Sequence, residues 1–319
     1  MKKLLFAALA LTLVAAMALP ASAQFEDEAG PGALSPVPTN PTFINIAGVD
    51  DELFVGSGAF GGGAPNDAFT IDADTDTATA VFTGTPVWGA TYNPDSGLVL
   101  FTTSGGVTDG ADLFSFDPVA GGAPALVGTI TLASGADLRI DGLAFSGGTL
   151  FGVHQFDDAA ATAGLFSIDS GTLVATSVLT LPSGNISGIA ADGGVIYGVD
   201  DTNTEVVIID PGSGTSSFAA YPGGEFDIDG LAGGDGTLYL VTDEAGAIYT
   251  LDIATQTYGA DLTGPFATAT TFSAGAYIVA APDIPSADPS EIPTLSTVGI
   301  VGLGLLLAFA AAFILRRRA

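Results

Sequence analysis

The chain has no cysteine, one histidine (His154), one tryptophan (Trp88) and only six basic residues in 319. Without cysteine there are no disulfides and no thiolate metal ligands, and a single histidine excludes a multi-histidine metal site. No Gly-x-Ser-x-Gly nucleophile elbow occurs, nor any phosphate-binding glycine loop carrying a lysine. Basic charge is scarce in a patterned way. Lys2, Lys3, Arg316, Arg317 and Arg318 sit at the two extreme ends, and Arg139 is the only basic residue between them. All 35 acidic residues lie between Glu26 and Glu291, so that stretch repels phosphate, which makes nucleic acid and bare anionic lipid poor partners. What is abundant is apolar and small: 48% hydrophobic residues, 13% charged, and 44 glycines. Such a chain is too apolar to stay disordered and too glycine-rich to be mostly helical.

The ends read as addresses. Residues 1–23 open with Lys2-Lys3, continue through the apolar run Leu4 to Leu19 and close on Ala21-Ser22-Ala23, the small-x-small pattern that signal peptidase accepts. A Sec signal peptide cleaved before Gln24 is expected, an uncleaved anchor being the alternative. At the other end, residues 297–315 form a run of 19 without a charge, enough at about 1.5 Å per residue to cross most of a ~30 Å hydrocarbon core. Arg316, Arg317 and Arg318 act as a stop-transfer signal and favour the cytoplasmic side, so the expected transmembrane helix runs from outside to inside. Residues 24–41, with four prolines, read as a flexible leader, and residues 281–291, with Pro282, Pro285 and Pro289, as a Pro/Asp-rich stalk.

Just before the apolar run stands Ile292-Pro293-Thr294-Leu295-Ser296, with Gly299 following. A short proline-containing motif, one transmembrane helix and a terminal arginine cluster, over residues 292–319, together resemble the IPTL-CTERM protein-sorting domain, although Thr297 and Val298 replace that family's usual Glu-Trp pair. The resemblance implies that an exosortase-type membrane transpeptidase recognises the motif, removes the tail and passes the protein to the cell surface. A permanent C-terminal anchor is the alternative.

Residues 42–280 contain a repeat. Phe69-Thr70-Ile71-Asp72, Phe114-Ser115-Phe116-Asp117, Phe166-Ser167-Ile168-Asp169, Val207-Ile208-Ile209-Asp210 and Tyr249-Thr250-Leu251-Asp252 share one form, with aspartates 41 to 52 residues apart. In phase with them recur Gly142-Leu143-Ala144, Gly188-Ile189-Ala190 and Gly230-Leu231-Ala232, with weaker counterparts at Gly89-Ala90-Thr91 and Asn45-Ile46-Ala47. A period of this length built from four short strands predicts an all-β fold, a β-propeller of five to six four-stranded blades. Five units are complete; Ala267 to Val279 reads as the first two strands of an incomplete sixth blade, or as a hairpin added to five. A parallel β-helix is the runner-up. The blades are broadly similar to those of secreted bacterial β-propeller repeat proteins, a likeness that implies architecture and no activity.

Carboxylates are the remaining reagent. Asp141 and Asp229 stand at matching positions, each before the glycine that opens an inner strand, where Trp88 and Ser187 stand in two other units. Around one channel mouth, with Glu225 and Asp227 nearby, they would form an exposed acidic rim, hold Ca²⁺ through oxygen ligands, or act as the acid and base of a glycoside hydrolase. Asp72-x-Asp74-x-Asp76 lacks the glycine and glutamate of a calcium loop and reads as a polar hairpin turn. The aspartates that end the third strands are expected to hold turns through backbone hydrogen bonds, and His154 to pack at a loop rim or between blades. Two function classes follow. One is an exported, surface-sorted or envelope-anchored propeller that binds a glycan or protein ligand without catalysis; the other is a secreted carboxylate-dependent glycan hydrolase.

Overall fold

A computed structural model describes residues 52–58, 67–103, 112–242, 247–266 and 272–279. The leader, stalk, signal peptide, sorting motif and apolar run at residues 297–315 lie outside the described residues. Among those described there is no helix long and apolar enough to cross a membrane.

The described chain is entirely strand and turn. In order it runs β1 (Glu52–Gly58), β2 (Asp67–Asp72), β3 (Thr77–Thr83), β4 (Gly89–Asn93), β5 (Leu98–Thr103), β6 (Asp112–Phe116) and β7 (Ala125–Thr129). It continues with β8 (Thr131–Leu132), β9 (Gly142–Ser146), β10 (Thr149–His154), β11 (Gly164–Ile168), β12 (Val174–Thr180), β13 (Ile186–Asp192) and β14 (Val195–Asp200). Last come β15 (Glu205–Asp210), β16 (Gly214–Ala220), β17 (Gly230–Gly234), β18 (Thr237–Val241), β19 (Ile248–Asp252), β20 (Thr257–Tyr258) and β21 (Phe272–Ile278). They form five sheets, β21-β1-β2-β3, β4 to β7, β9 to β12, β13 to β16 and β17 to β20, the third extended by β8 running parallel to β12. The innermost strands β4, β9, β13, β17 and β21 pack side by side in a closed ring. This is a five-bladed β-propeller.

The incomplete sixth blade is not there. Phe272–Ile278 pairs antiparallel with β1 from Glu52↔Ile278 to Gly58↔Phe272, so the last strand of the ring supplies the inner strand of the first blade. The repeat phrase there marked an inner strand correctly, but a strand's own residues do not say which edge it joins.

Each blade buries both faces. On β5, Val99 and Phe101 point into the cluster shared with blade 1, and Leu100 into the cluster shared with blade 3, the period-2 alternation of a strand sandwiched on both sides. Five such clusters fill the five gaps between blades. The gap between blades 1 and 2 is aromatic: Phe54 and Phe101 stack at 6.3 Å, and Phe82 meets Phe116 edge-on at 5.2 Å.

Near the axis, two inner strands leave no room for a side chain where they begin. A Cβ at Gly89 would lie 2.7 Å from Asp141 O, and one at Gly188 only 2.3 Å from Asp229 O, both backbone atoms of the next blade. Glycine at these positions is therefore a requirement of ring closure with five blades. The hairpins that follow the inner strands turn through Gly147-Gly148, Gly193-Gly194 and Asp235-Gly236, each pair with positive φ at both residues. That is the type I′ geometry whose twist matches the strands it joins.

Candidate functional site

The inner strands give the propeller two ends, and the acids singled out by repeat phase lie at the end where those strands begin. The registers Gly142↔Val153, Gly230↔Val241, Gly89↔Thr102 and Ala274↔Gly56 place Asp141, Asp229, Trp88 and Ser273 at matching positions, with Ser187 there in blade 4. Their burial corrects the expected exposed rim. Asp141 is 5% and Asp229 8% exposed, Trp88 only 2%. Asp229 is two blades away from Asp141 around the ring, and among the described residues no three His, Cys, Asp or Glu side chains are grouped to hold a metal ion.

Asp141 is committed on both oxygens. Arg139 Nε donates to Oδ1 at 2.6 Å, and the Gln155 amide donates to Oδ2 at 2.9 Å. The Arg139 guanidinium lies 4.9 Å above the Trp88 ring centre and 5.5 Å from that of Phe156, so the one base of the middle region is sandwiched between two aromatics. Its Nη2 is buried without an acceptor among the described residues. His154 Nδ1 sits 2.8 Å from Arg139 O; a carbonyl only accepts, so Nδ1 carries the proton. With 1% exposure and an edge-on contact to Phe166, His154 is a packed residue.

Hydroxyls tie neighbouring blades together at this same end. Thr102 Oγ1 donates to Ile140 O at 3.0 Å, Ser187 Oγ to Ile228 O at 2.9 Å and Ser273 Oγ to Val241 O at 2.7 Å. The sequence reading passed over the acid at the centre of the widest network. Asp201 accepts from Tyr221 Oη (2.9 Å) and the Ile228 amide (3.1 Å) through Oδ1, and its Oδ2 lies 2.8 Å from Ser187 Oγ, whose single proton serves either that oxygen or Ile228 O, joining blades 4 and 5. Burial pushes its carboxyl up from 3.8 to about 6, against the pull of those hydrogen bonds and with help from the charge of Asp227. Glu225 is engaged elsewhere, accepting from the Phe226 amide and from Tyr249 Oη. The only signal for Asp201 in the sequence is the Asp200-Asp201 pair at the end of β14, where blade 3 has His154 and Gln155 in the same register.

At the opposite end, where the inner strands finish, the axis opens into a cavity of about 210 Å³ to which all five blades contribute. Its wall is uneven. Tyr277, Tyr92 and Phe145, from blades 1, 2 and 3, occupy equivalent register positions, while blades 4 and 5 have Ala191 and Gly233 there and bring Asp192 and Asp235 to the lining. Tyr277 is held flat, stacked on Tyr239 at 5.8 Å and lying over Gly234, where a Cβ would fall 1.9 Å from its ring. The strand-ending aspartates Asp72, Asp117, Asp169, Asp210 and Asp252 cap the turns of the same end, each accepting backbone amides two or three residues on. Hydrogen bonds hold four of them below the usual carboxylate range: first the hydroxyls of Thr75, Thr172 and Thr255 for Asp72, Asp169 and Asp252, and the Gly212 amide for Asp210. Asp76 accepts from both the amide and the hydroxyl of Thr263, a link from blade 1 to the segment after blade 5.

No protein-family model matches the chain, and no curated protein matches it. Among solved structures it is similar to a chain of the nidogen–laminin complex, at 12% identity over 72% of this chain and 98% of that one, TM-score 0.48. A structural genomics protein of unknown function from Bacteroides thetaiotaomicron matches at 14% identity over 70% of this chain and 67% of that one, TM-score 0.43. TolB of Acinetobacter baumannii matches at 15% identity over 67% of this chain and 53% of that one, TM-score 0.41. Likenesses this distant carry nothing about ligand or activity, and the propeller rests on the five sheets and their ring.

Proposed function

We propose that the protein is an exported, envelope-anchored or surface-sorted β-propeller that works as a non-catalytic binding module for a glycan or protein ligand. The observation that carries the binding reading is the difference between the two ends of the axis. At one end buried acids, an arginine and hydroxyls link neighbouring strands and blades, whereas at the other the axis holds a cavity with an aromatic and acidic wall. Concave sites of mixed apolar and polar lining are where proteins hold ligands. Support for export comes from the apolar leader ending in Ala21-Ser22-Ala23, and support for sorting from Ile292 to Ser296 followed by residues 297–315 and Arg316 to Arg318. Signal peptidase and an exosortase-type transpeptidase are the processing partners this reading requires.

Mass spectrometry of the protein recovered from the envelope or the medium tests both signals at once. The expected mature chain begins at Gln24 and ends near Thr294, and replacement of Pro293 and Thr294 by alanine leaves an unprocessed form in the inner membrane. A surface form that still carries Arg318 defeats the sorting step. Protection of the propeller from protease added to intact cells and spheroplasts alike defeats export.

A further inference from the structure

We infer that the axial cavity is a site for a small organic cation, a primary or quaternary ammonium. The inference names a ligand class for the binding module proposed above, and needs neither export nor sorting to be true. Three features of the wall point the same way. Aromatic residues of blades 1 to 3 (Tyr277, Tyr92 and Phe145) and acidic residues of blades 4 and 5 (Asp192 and Asp235) line different sides of the cavity, a pairing that suits a cation with a hydrocarbon surface. A bare metal ion would gain little from the aromatic half, and two carboxylates are too few oxygens for calcium. The second feature is a polar group that packing leaves unused. Thr91 is 8% exposed and lines the cavity, yet its hydroxyl has no hydrogen-bond partner among the described residues. The other blades have Ala144, Ala190, Ala232 and Ala276 at that position, so a hydroxyl there is not demanded by the ring. It is placed to bond an ammonium N–H or a ligand hydroxyl. Thirdly, no basic side chain among the described residues lines the cavity, and the acid-rich propeller around it raises the local concentration of cations.

The test uses the full-length protein in mild detergent, with choline and cadaverine as probes. Their uncharged analogues 3,3-dimethylbutan-1-ol and pentan-1-ol serve as controls, and sodium chloride holds ionic strength constant. Calorimetric titration is expected to show saturable binding of at least one ammonium probe, at least tenfold tighter than its analogue. Asp192→Asn, Asp235→Asn and Phe145→Leu should each raise Kd about fivefold or more, with urea midpoints near that of the parent. Asp252→Asn, which removes an equal charge from an outer turn, should leave Kd unchanged. Equal binding of the neutral analogues overturns the inference in favour of a plain apolar pocket, and a matching effect of Asp252→Asn overturns it in favour of diffuse charge attraction. Calcium binding that both cavity carboxylate variants abolish, without amine binding, makes the cavity a metal site. Absence of any saturation also ends the inference. None of these results bears on the processing and surface tests above, so the two readings fail separately.

Discussion

Asp201 makes the folded protein a stronger proton binder than the unfolded chain, and stability must therefore fall as pH rises. Its carboxyl titrates at about 6 in the fold against 3.8 in an unperturbed aspartate. Below about pH 4 both states hold the proton and the group contributes its full share. Between about 4 and 6 unfolding releases that proton, so the contribution declines, and above about 6 it is gone. Two pH units at about 1.4 kcal/mol each set a ceiling of about 3 kcal/mol, and solvent that still reaches this partly buried residue lowers it to roughly 2. For a domain of this size that is a fall in Tm of roughly 4–8 °C. Asp201→Asn keeps the acceptor facing Tyr221 and the Ile228 amide, and lets the Ser187 hydroxyl accept while it donates to Ile228 O. Unfolding followed by the fluorescence of buried Trp88 should find the variant near the parent at pH 4 and more stable than it at pH 7.5. The turn aspartates with depressed carboxyls act in the opposite direction, losing stabilisation only as pH falls below their ordinary 3.8, and they are common to both proteins. Parent and variant curves that run parallel from pH 4 to 7.5 would refute the reasoning.

Gly188→Ala forces a methyl to within 2.3 Å of Asp229 O and should cost about 3 kcal/mol or more, whereas Gly223→Ala, with open space around it, should lie within about 0.5 kcal/mol of the parent; urea midpoints compare them. Asp141→Ala strips the partner from the Arg139 guanidinium and the Gln155 amide, and a loss of about 2–4 kcal/mol in the same assay is expected. Asp141 and Asp229 stand two blades apart and buried, so chelator should leave Tm unchanged; a Tm that chelator lowers, and that Asp141→Asn or Asp229→Asn makes insensitive, would instead make them calcium ligands, because a ligand of the native state must stabilise it. Like-signed carboxylates repel, so Tm should rise from low to moderate sodium chloride, and an unchanged Tm would contradict the electrostatic reading.

What the sequence made legible was what short-range chemistry decides. The aspartates ending the third strands hold turns two and three residues away, and the Gly-Leu-Ala phrases mark inner strands, because both requirements are local. Closure was not legible in the same way: β21 looks like the start of another blade until its partner, more than 200 residues earlier, is known. Repeat phase aligned Asp141 with Asp229 correctly but could not tell that Arg139, Gln155 and the adjoining blades bury them, since burial depends on contacts between units. Asp201 and its donors Ser187, Tyr221 and Ile228 come from three separate segments with no spacing that announces them. The uneven wall of the cavity likewise emerges only when the five inner strands are set in register.

The seam between β1 and β21 also determines how the ring answers to force. Glu52 opposes Ile278, so both chain ends leave the propeller at the same end of the same antiparallel pair. Tension drawn between those ends does not load the seven pairs of the seam together. It opens them one after another from Glu52–Ile278, as a zipper opens, and the ring is mechanically weakest along the line that joins its own termini. Pulled instead between residue 279 and a point on blade 3, the seam would share its load with the aromatic packing between blades 1 and 2, and single-molecule extension should record a higher rupture force than in the end-to-end geometry.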